Sequence, residues 1–304
     1  MGEMVAYDEF SMFHENAEEF GIPFAPPAVR RESVDVGGGR RLSALVWGHG
    51  EPEYVLLHGG AQNAHTWDTV LMALDRPAVA VDLPGHGHSD GGRAGYLDPD
   101  DNADDVAVAI SALAPTAEVV VGMSLGGITA IALAARHPHL VHRLVLVDIT
   151  PGVNRDKSAA ISAFVNGPES FPDFDAILAR TVEFNPTRSV ASLRRGILHN
   201  ALQRPDGTWV WRYARHRAPV EAETAVSGDP HDRFNRLWDA VSGLQVPVML
   251  VRGMRPQSVV DDDDEAELRR RCPHARVERI PEAGHSVQGD TPLELAALLS
   301  DFRD

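Results

Sequence analysis

The chain has 304 residues, 43% of them hydrophobic, with a formal net charge of −16 and a single cysteine, Cys272. That length and apolar content suffice for a large buried core, whereas the acidity argues against nucleic-acid or anionic-membrane partners, which need a face rich in Lys and Arg. One cysteine makes no internal disulfide, and the expected location is a reducing cytoplasm.

The opening MGEMVAYDEFSMFHENAEEFG is acidic and has no apolar h-region, so no signal peptide is expected, and Ala6 breaks the myristoylation pattern. No apolar run is long enough to span a bilayer. Residues 1–31 read as an N-terminal helical extension. RESVDVGGGRRLSALVWG then reads as an antiparallel hairpin turning through Gly37, Gly38 and Gly39. No helix follows VGGGR, which rules out a nucleotide loop there. Buried strands are expected in YVLLHGG (54–60), AVAVDLPG (78–85), EVVVGMS (118–124), RLVLVDITP (143–151) and PVMLVRG (247–253). Their consecutive apolar residues suit strands covered on both faces. Between them, PDDNADDVAVAISAL begins with Asp residues that complement a helix N-terminus, and LGGITAIALAARHP stops at His137 and Pro138. This alternation predicts an α/β fold with a mostly parallel, twisted sheet flanked by helices.

From Pro151 to Gln245 the strand signals lapse for about ninety residues, far more than the few that join elements of an α/β unit. DKSAAISAFV, DFDAILARTVEF, SVASLRRGILHNAL and HDRFNRLWDAVSGL carry apolar residues at helical spacing, broken by NGPESFP, NPT and PDGTW. Residues 151–245 are therefore expected to form a helical cap inserted between two core strands, with the core in 32–150 and 246–304. The core ends with the acidic helix DDDDEAELRRRC, the strand ARVERI and the helix TPLELAALLSDF.

Within EVVVGMSLGGITA, Ser124 stands two residues from Gly122 and two from Gly126, where a strand meets a helix. G-x-S-x-G in that setting is the sequence form of a nucleophile elbow, in which side chains at the two glycine positions collide as strand and helix converge. The pentapeptide also fits a tight turn without chemistry, so its context matters. A serine nucleophile requires a base and oxyanion donors. IPEAGHSVQGD places His285 after the last strand and before the last helix, in the chain order expected of a base. LHGGAQNAHTW follows the first buried strand, so the N–H of Gly60, less favourably that of Ala61, pairs with the N–H of Leu125 as an oxyanion hole.

Taken together, LLHGG, VDLPGHGHS, VVGMSLGG, LVLVDITP, LVRG and IPEAGHSV resemble, in order, the motifs of the α/β-hydrolase fold superfamily, from about residue 32 to the end. The resemblance implies a capped serine hydrolase with Ser124 as nucleophile, His285 as base and no cofactor. A serine rather than an aspartate at the elbow disfavours haloalkane dehalogenase and epoxide hydrolase activities. The family most often keeps its acid shortly after the LVRG strand, but here that loop reads GMRPQSVVDDDD, with Pro256, Gln257 and Ser258 in its place. Asp148, in a VDIxP segment like that of some family members, is the preferred acid, and Asp261 is the alternative. The implied substrate is a small to medium, largely apolar ester or lactone. Carbon–carbon hydrolysis, cofactor-free peroxidase or oxygenase chemistry, and a ligand-binding receptor are the alternatives.

Asp82, His86 and His88 in VDLPGHGHSD lack further partners at ligand spacing, so a structural loop is expected there and no metal site. Met123 and the aromatics Trp67, Trp209, Trp211 and Trp238 are the candidates for lining the substrate pocket. Oligomeric state leaves no signature in the sequence.

Overall fold

The computed structural model describes residues 5–92, 98–153, 156–213 and 230–304, with the side chains of 230–234 excluded. The first four residues, and 214–229 of the expected cap, lie outside the described residues.

Helix α1 (Phe13–Phe20) precedes the hairpin of β1 (Val29–Gly37) and β2 (Arg40–Trp47). Then come β3 (Tyr54–Leu57), α2 (Asp68–Leu74), β4 (Ala78–Val81), α3 (Pro99–Leu113), β5 (Val119–Met123), α4 (Leu125–Arg136) and β6 (Arg143–Val147). An inserted region holds α5 (Ala159–Val165), β7 (Ser170–Phe171), α6 (Phe174–Phe184), α7 (Val190–Asn200), β8 (Ala201–Gln203) and β9 (Trp209–Trp211). The chain ends with α8 (Pro230–Gly243), β10 (Val248–Gly253), α9 (Asp262–Arg271), β11 (Arg276–Ile280), α10 (Val287–Asp290) and α11 (Pro292–Arg303).

The main sheet has eight strands in the order β1-β2-β4-β3-β5-β6-β10-β11. The β1–β2 and β2–β4 pairs are antiparallel, and every other pair is parallel. The central strands β3, β4 and β5 are buried at every residue, which explains their unbroken apolar runs. One face packs on α3, α4 and α8 through Ile110, Ile131 and Val241, and the other on α1, α2 and α11 through Phe13, Leu71 and Leu299. Asp98 caps α3 by accepting from the N–H groups of Asp100 and Asp101, with Pro99 in the first turn, so the acidic start does what its spacing predicts.

Two expectations need correction. The inserted region is not purely helical, because β7, β9 and β8 form a three-stranded antiparallel sheet. PDGTW, read as a break between helices, is the hairpin turn joining β8 and β9, with Gly207 at φ 90° and the Arg204 N–H donating to Thr208 O at 2.7 Å. These strands have only two or three residues each, too few to show an alternating pattern. The second correction concerns α8. Its Leu237, Trp238 and Val241 are buried in the same cluster as α4, so this helix covers the main sheet and is not a cap helix.

The N-terminal segment joins the two layers. Phe13 meets Trp47 edge-on at 5.1 Å in the core, while neighbouring Met12 is buried among Phe171, Ile177, Ile197 and Trp209 of the inserted region.

Candidate active site

At the end of β5, Ser124 adopts φ 50° and ψ −117°, a left-handed conformation that a residue with a side chain holds only under local constraint. The constraint is the crossing of β5 and α4. A Cβ on Gly122 would lie 2.4 Å from Gly126 O, and one on Gly126 would lie 2.2 Å from Leu57 O. Both contacts are with backbone that cannot swing aside, so glycine at these positions is what permits the turn. Leu125 is the first residue of α4, where an N–H has no partner inside the helix.

The loop after β3 is held by two histidines. His58 is buried, accepts the Leu83 N–H on Nε2 (2.9 Å) and donates from Nδ1 to Gly59 O (2.7 Å). Burial pushes its pKa below the usual imidazole value, in keeping with this neutral tautomer. His86, also buried, accepts the Ala61 N–H on Nε2 at 3.1 Å and donates from Nδ1 to Pro84 O at 3.0 Å. The Ala61 N–H is thereby occupied, whereas among the described residues no hydrogen bond engages the N–H of Gly60. Asp82 accepts from Ala64 N–H (2.7 Å), His88 N–H (3.0 Å) and Arg31 (2.7 Å), so the VDLPGHGHSD segment is a structural support for this loop. The bracing role of His58 and His86 escaped the sequence reading, because each bonds to a backbone group 25 positions away.

His285 lies in the turn between β11 and α10, and its Nδ1 is 2.9 Å from Oδ2 of Asp148. Asp148 is fully buried just past β6, at φ 46°. Its Oδ2 also accepts the Val259 N–H (3.1 Å), and its Oδ1 accepts the Gly253 N–H (2.9 Å) and the Ser258 hydroxyl (2.6 Å). The loop that carries no aspartate after LVRG thus wraps the Asp148 carboxylate with its backbone and with Ser258. The alternative, Asp261, is the N-cap of α9: it accepts the Asp264 N–H at 2.9 Å and pairs with Lys157 at 2.7 Å, and it makes no bond to His285.

Ser124, Gly60 and His285 line one cavity of about 870 Å³ between the main sheet and the inserted region, with no hydrogen bond between Ser124 and His285 themselves. Met123 and Trp211 also line it. Trp67, Trp209 and Trp238 do not, which corrects three of the five pocket candidates. Trp67 is fully buried in the core cluster of α2 and α11, and Trp209 packs against Phe174 at 5.0 Å inside the inserted region. Trp238 lies on α8 under the guanidinium of Arg271, 5.6 Å away. Indole packing of this kind is set by which helix a residue meets, and a one-dimensional pattern does not contain that.

A buried polar network flanks the cavity. His65 bonds Asp68 through Nδ1 (2.9 Å) and Glu9 through Nε2 (3.1 Å), and its ring stacks on His199 at 3.8 Å. Burial opposes charging of His65, but the two carboxylates outweigh it and push its pKa up to about 9. His199 moves the other way: burial, then the neighbouring His65 charge, hold it well below the usual value, and its Nδ1 is paired with the Tyr7 hydroxyl at 2.9 Å. Ligand atoms of His65, Asp68 and His199 lie within 4.8 Å of one another. The imidazolium form of His65, however, uses both nitrogens as donors and offers no lone pair to a cation.

The model of the alpha/beta hydrolase fold matches residues 55–292, a span from β3 to the start of α11 that includes Ser124, Asp148 and His285. The chain belongs to the alpha/beta hydrolase fold family. Among relatives of this alpha/beta hydrolase, Esterase Rv0045c of Mycobacterium tuberculosis is 44% identical over 309 residues, covering 99% of this chain and 98% of that protein. A crystal structure of that esterase superposes with a TM-score of 0.81, covering 98% of this chain and 99% of that one. The 2-(acetamidomethylene)succinate hydrolase of Mesorhizobium japonicum is 29% identical over 89% of this chain and 94% of that protein. No described helix is long and apolar enough to cross a membrane.

Proposed function

We propose that this chain is a serine hydrolase that cleaves a carboxylic ester or lactone through an acyl-enzyme. Ester hydrolysis is supported by the family and by the 44% identity to an esterase across nearly the whole chain. The observation that carries the mechanism is the Asp148–His285 bond, with Ser124 at a strained strand-to-helix turn on the same cavity.

In this reading Asp148 holds the proton on His285 Nδ1, leaving Nε2 free to take the Ser124 hydroxyl proton as Oγ attacks the substrate carbonyl carbon. The Ser124–His285 hydrogen bond forms as substrate fills the cavity. The carbonyl oxygen, now carrying negative charge, sits between the unengaged N–H groups of Gly60 and Leu125, the latter at the positive end of α4. Collapse of the tetrahedral intermediate expels the alcohol, which takes the proton from His285. Water then attacks the acyl-serine with His285 again as base, releasing the acid. The cavity accommodates a small to medium substrate, and the cap sets its shape. A cytoplasmic site of action fits the single, buried cysteine.

The test is hydrolysis of chromogenic acyl esters and of aliphatic and aromatic lactones by the purified protein, with Ser124→Ala as the blank. Turnover present in the parent and absent from the variant is expected. A folded parent that is silent across the panel, or a variant as active as the parent, would overturn the assignment.

A further inference from the structure

Arg188, in the segment joining α6 to α7, lines the same cavity as Ser124 and His285. Its guanidinium lies against α10: a Cβ added to Gly289, four residues after His285, would stand 2.8 Å from both Cζ and Nη1. Nη2 donates to Ser192 Oγ, and Nε is buried with no hydrogen-bond partner. The other cations on the cavity wall are neutralised within the protein. Lys157 pairs with Asp261 and Asp264, and Arg195 with Glu15 and Glu19. Arg188 forms no ion pair with any described residue. The two carboxylates whose fields reach it form no ion pair with it: Asp290 accepts the Gly284 N–H, and Glu19 bonds Arg195 and Ser189.

Arg188 is half-buried, and holding a cation there without an ion pair is costly, a cost that an arginine does not escape by losing its proton. Burial does lower its pKa, yet from a starting value so high that the guanidinium stays charged throughout the working range of an enzyme. A charged guanidinium on a cavity wall, with an Nη1 that bonds to no described residue, is arranged to receive an anion from what enters the cavity. A single guanidinium matches the one charge and two oxygens of a carboxylate better than a phosphate dianion.

We propose that Arg188 binds a carboxylate of the substrate, so that the preferred substrates are esters or lactones carrying a free carboxylate, such as monoesters of dicarboxylic acids. This rests on the ester-hydrolase reading above and names the substrate class for that site. It modifies the expectation of a largely apolar substrate: the apolar wall holds the chain, and Arg188 fixes its charged end.

The experiment uses matched ester pairs that differ only in a terminal carboxylate or carboxamide, placed in one series on the acyl half and in another on the alcohol half. Acid release is followed by titration in the full-length protein. In at least one series kcat/KM is expected to favour the carboxylate about ten- to a hundredfold, and Arg188→Met should abolish that ratio. Arg188→Lys, which keeps the charge and loses the fork, should retain part of it and keeps the test readable if Arg188→Met does not fold. Ser124-dependent hydrolysis of both members of each pair at equal efficiency, or a preference that survives in Arg188→Met, would overturn the Arg188 assignment and leave the hydrolase reading standing. Absence of Ser124-dependent hydrolysis in every pair would overturn both.

Discussion

His285 Nδ1 lies 2.9 Å from Asp148 Oδ2, on a carboxylate that three further donors from the 253–259 loop hold in place. These donors fix the orientation of the fully buried carboxylate, and a carboxylate against Nδ1 fixes the imidazole tautomer.

Asp148→Asn removes that charge and lets the imidazole adopt the wrong tautomer, so kcat should fall about 10⁴-fold with the fold intact. Asp261→Ala should leave kcat near the parent value and cost about 1 kcal/mol of stability, because it removes the N-cap of α9. Steady-state kinetics and thermal melts of the two variants separate the roles. Loss of turnover in the Asp261 variant alone would reverse them.

The elbow leaves no space for a methyl group. Gly126→Ala places a carbon against Leu57 O, and the chain must shift at the crossing of α4 and β5. A loss of about 1–3 kcal/mol in denaturant unfolding is expected, together with loss of turnover. Gly60→Ala tests the contrast. No atom lies within 4 Å of a Cβ built there, so stability should stay near the parent value.

His86→Ala should slow the reaction without touching substrate. It leaves the buried Ala61 N–H without its acceptor and loosens the turn that carries the Gly60 N–H. A misplaced oxyanion donor lowers kcat more than it raises KM, and a fall of about 10- to 100-fold is expected. A variant with unchanged kcat would show that the turn is held by other contacts.

Stability should depend on pH through the N-terminal segment. His65 has its pKa raised to about 9, so its contribution is complete below about 6.5, the unfolded value, and fades as pH climbs through 9. Glu9 is shifted the opposite way. Burial disfavours its charge, but bonds to His65 and Arg31 prevail and lower its pKa to about 2, so its contribution is complete above about 4.5 and fades on acidification toward 2. Tm should therefore be highest between about pH 4.5 and 6.5, and its decline between 6.5 and 9 should flatten in His65→Gln. An equally steep alkaline decline in that variant would place the responsible group elsewhere.

Much of the fold is legible in the sequence because it depends on neighbours along the chain. The consecutive apolar residues of β3, β4 and β5, the Asp98–Pro99 start of α3 and the stop of α4 at His137 and Pro138 are all written within a few positions of each other. So is the place of Ser124, since the collision that excludes a side chain at Gly122 involves Gly126, four positions on. Those local rules determine the order of strands and helices and hence the α/β class.

Other features were decided only when distant segments met. Which carboxylate reaches His285 is a contact across 137 positions: the sequence favours Asp148 and keeps Asp261 as the alternative, and the structure brings Asp148 to His285 while Asp261 caps α9. The strands of the inserted region are too short to carry a period, and the indoles of Trp67, Trp209 and Trp238 are absent from the cavity lining because each packs on another element. The His65–Asp68–His199 network and the unmatched guanidinium of Arg188 belong to the same class. Burial and charge balance are sums over everything that surrounds a group, and for these residues most of that surrounding comes from elsewhere in the chain.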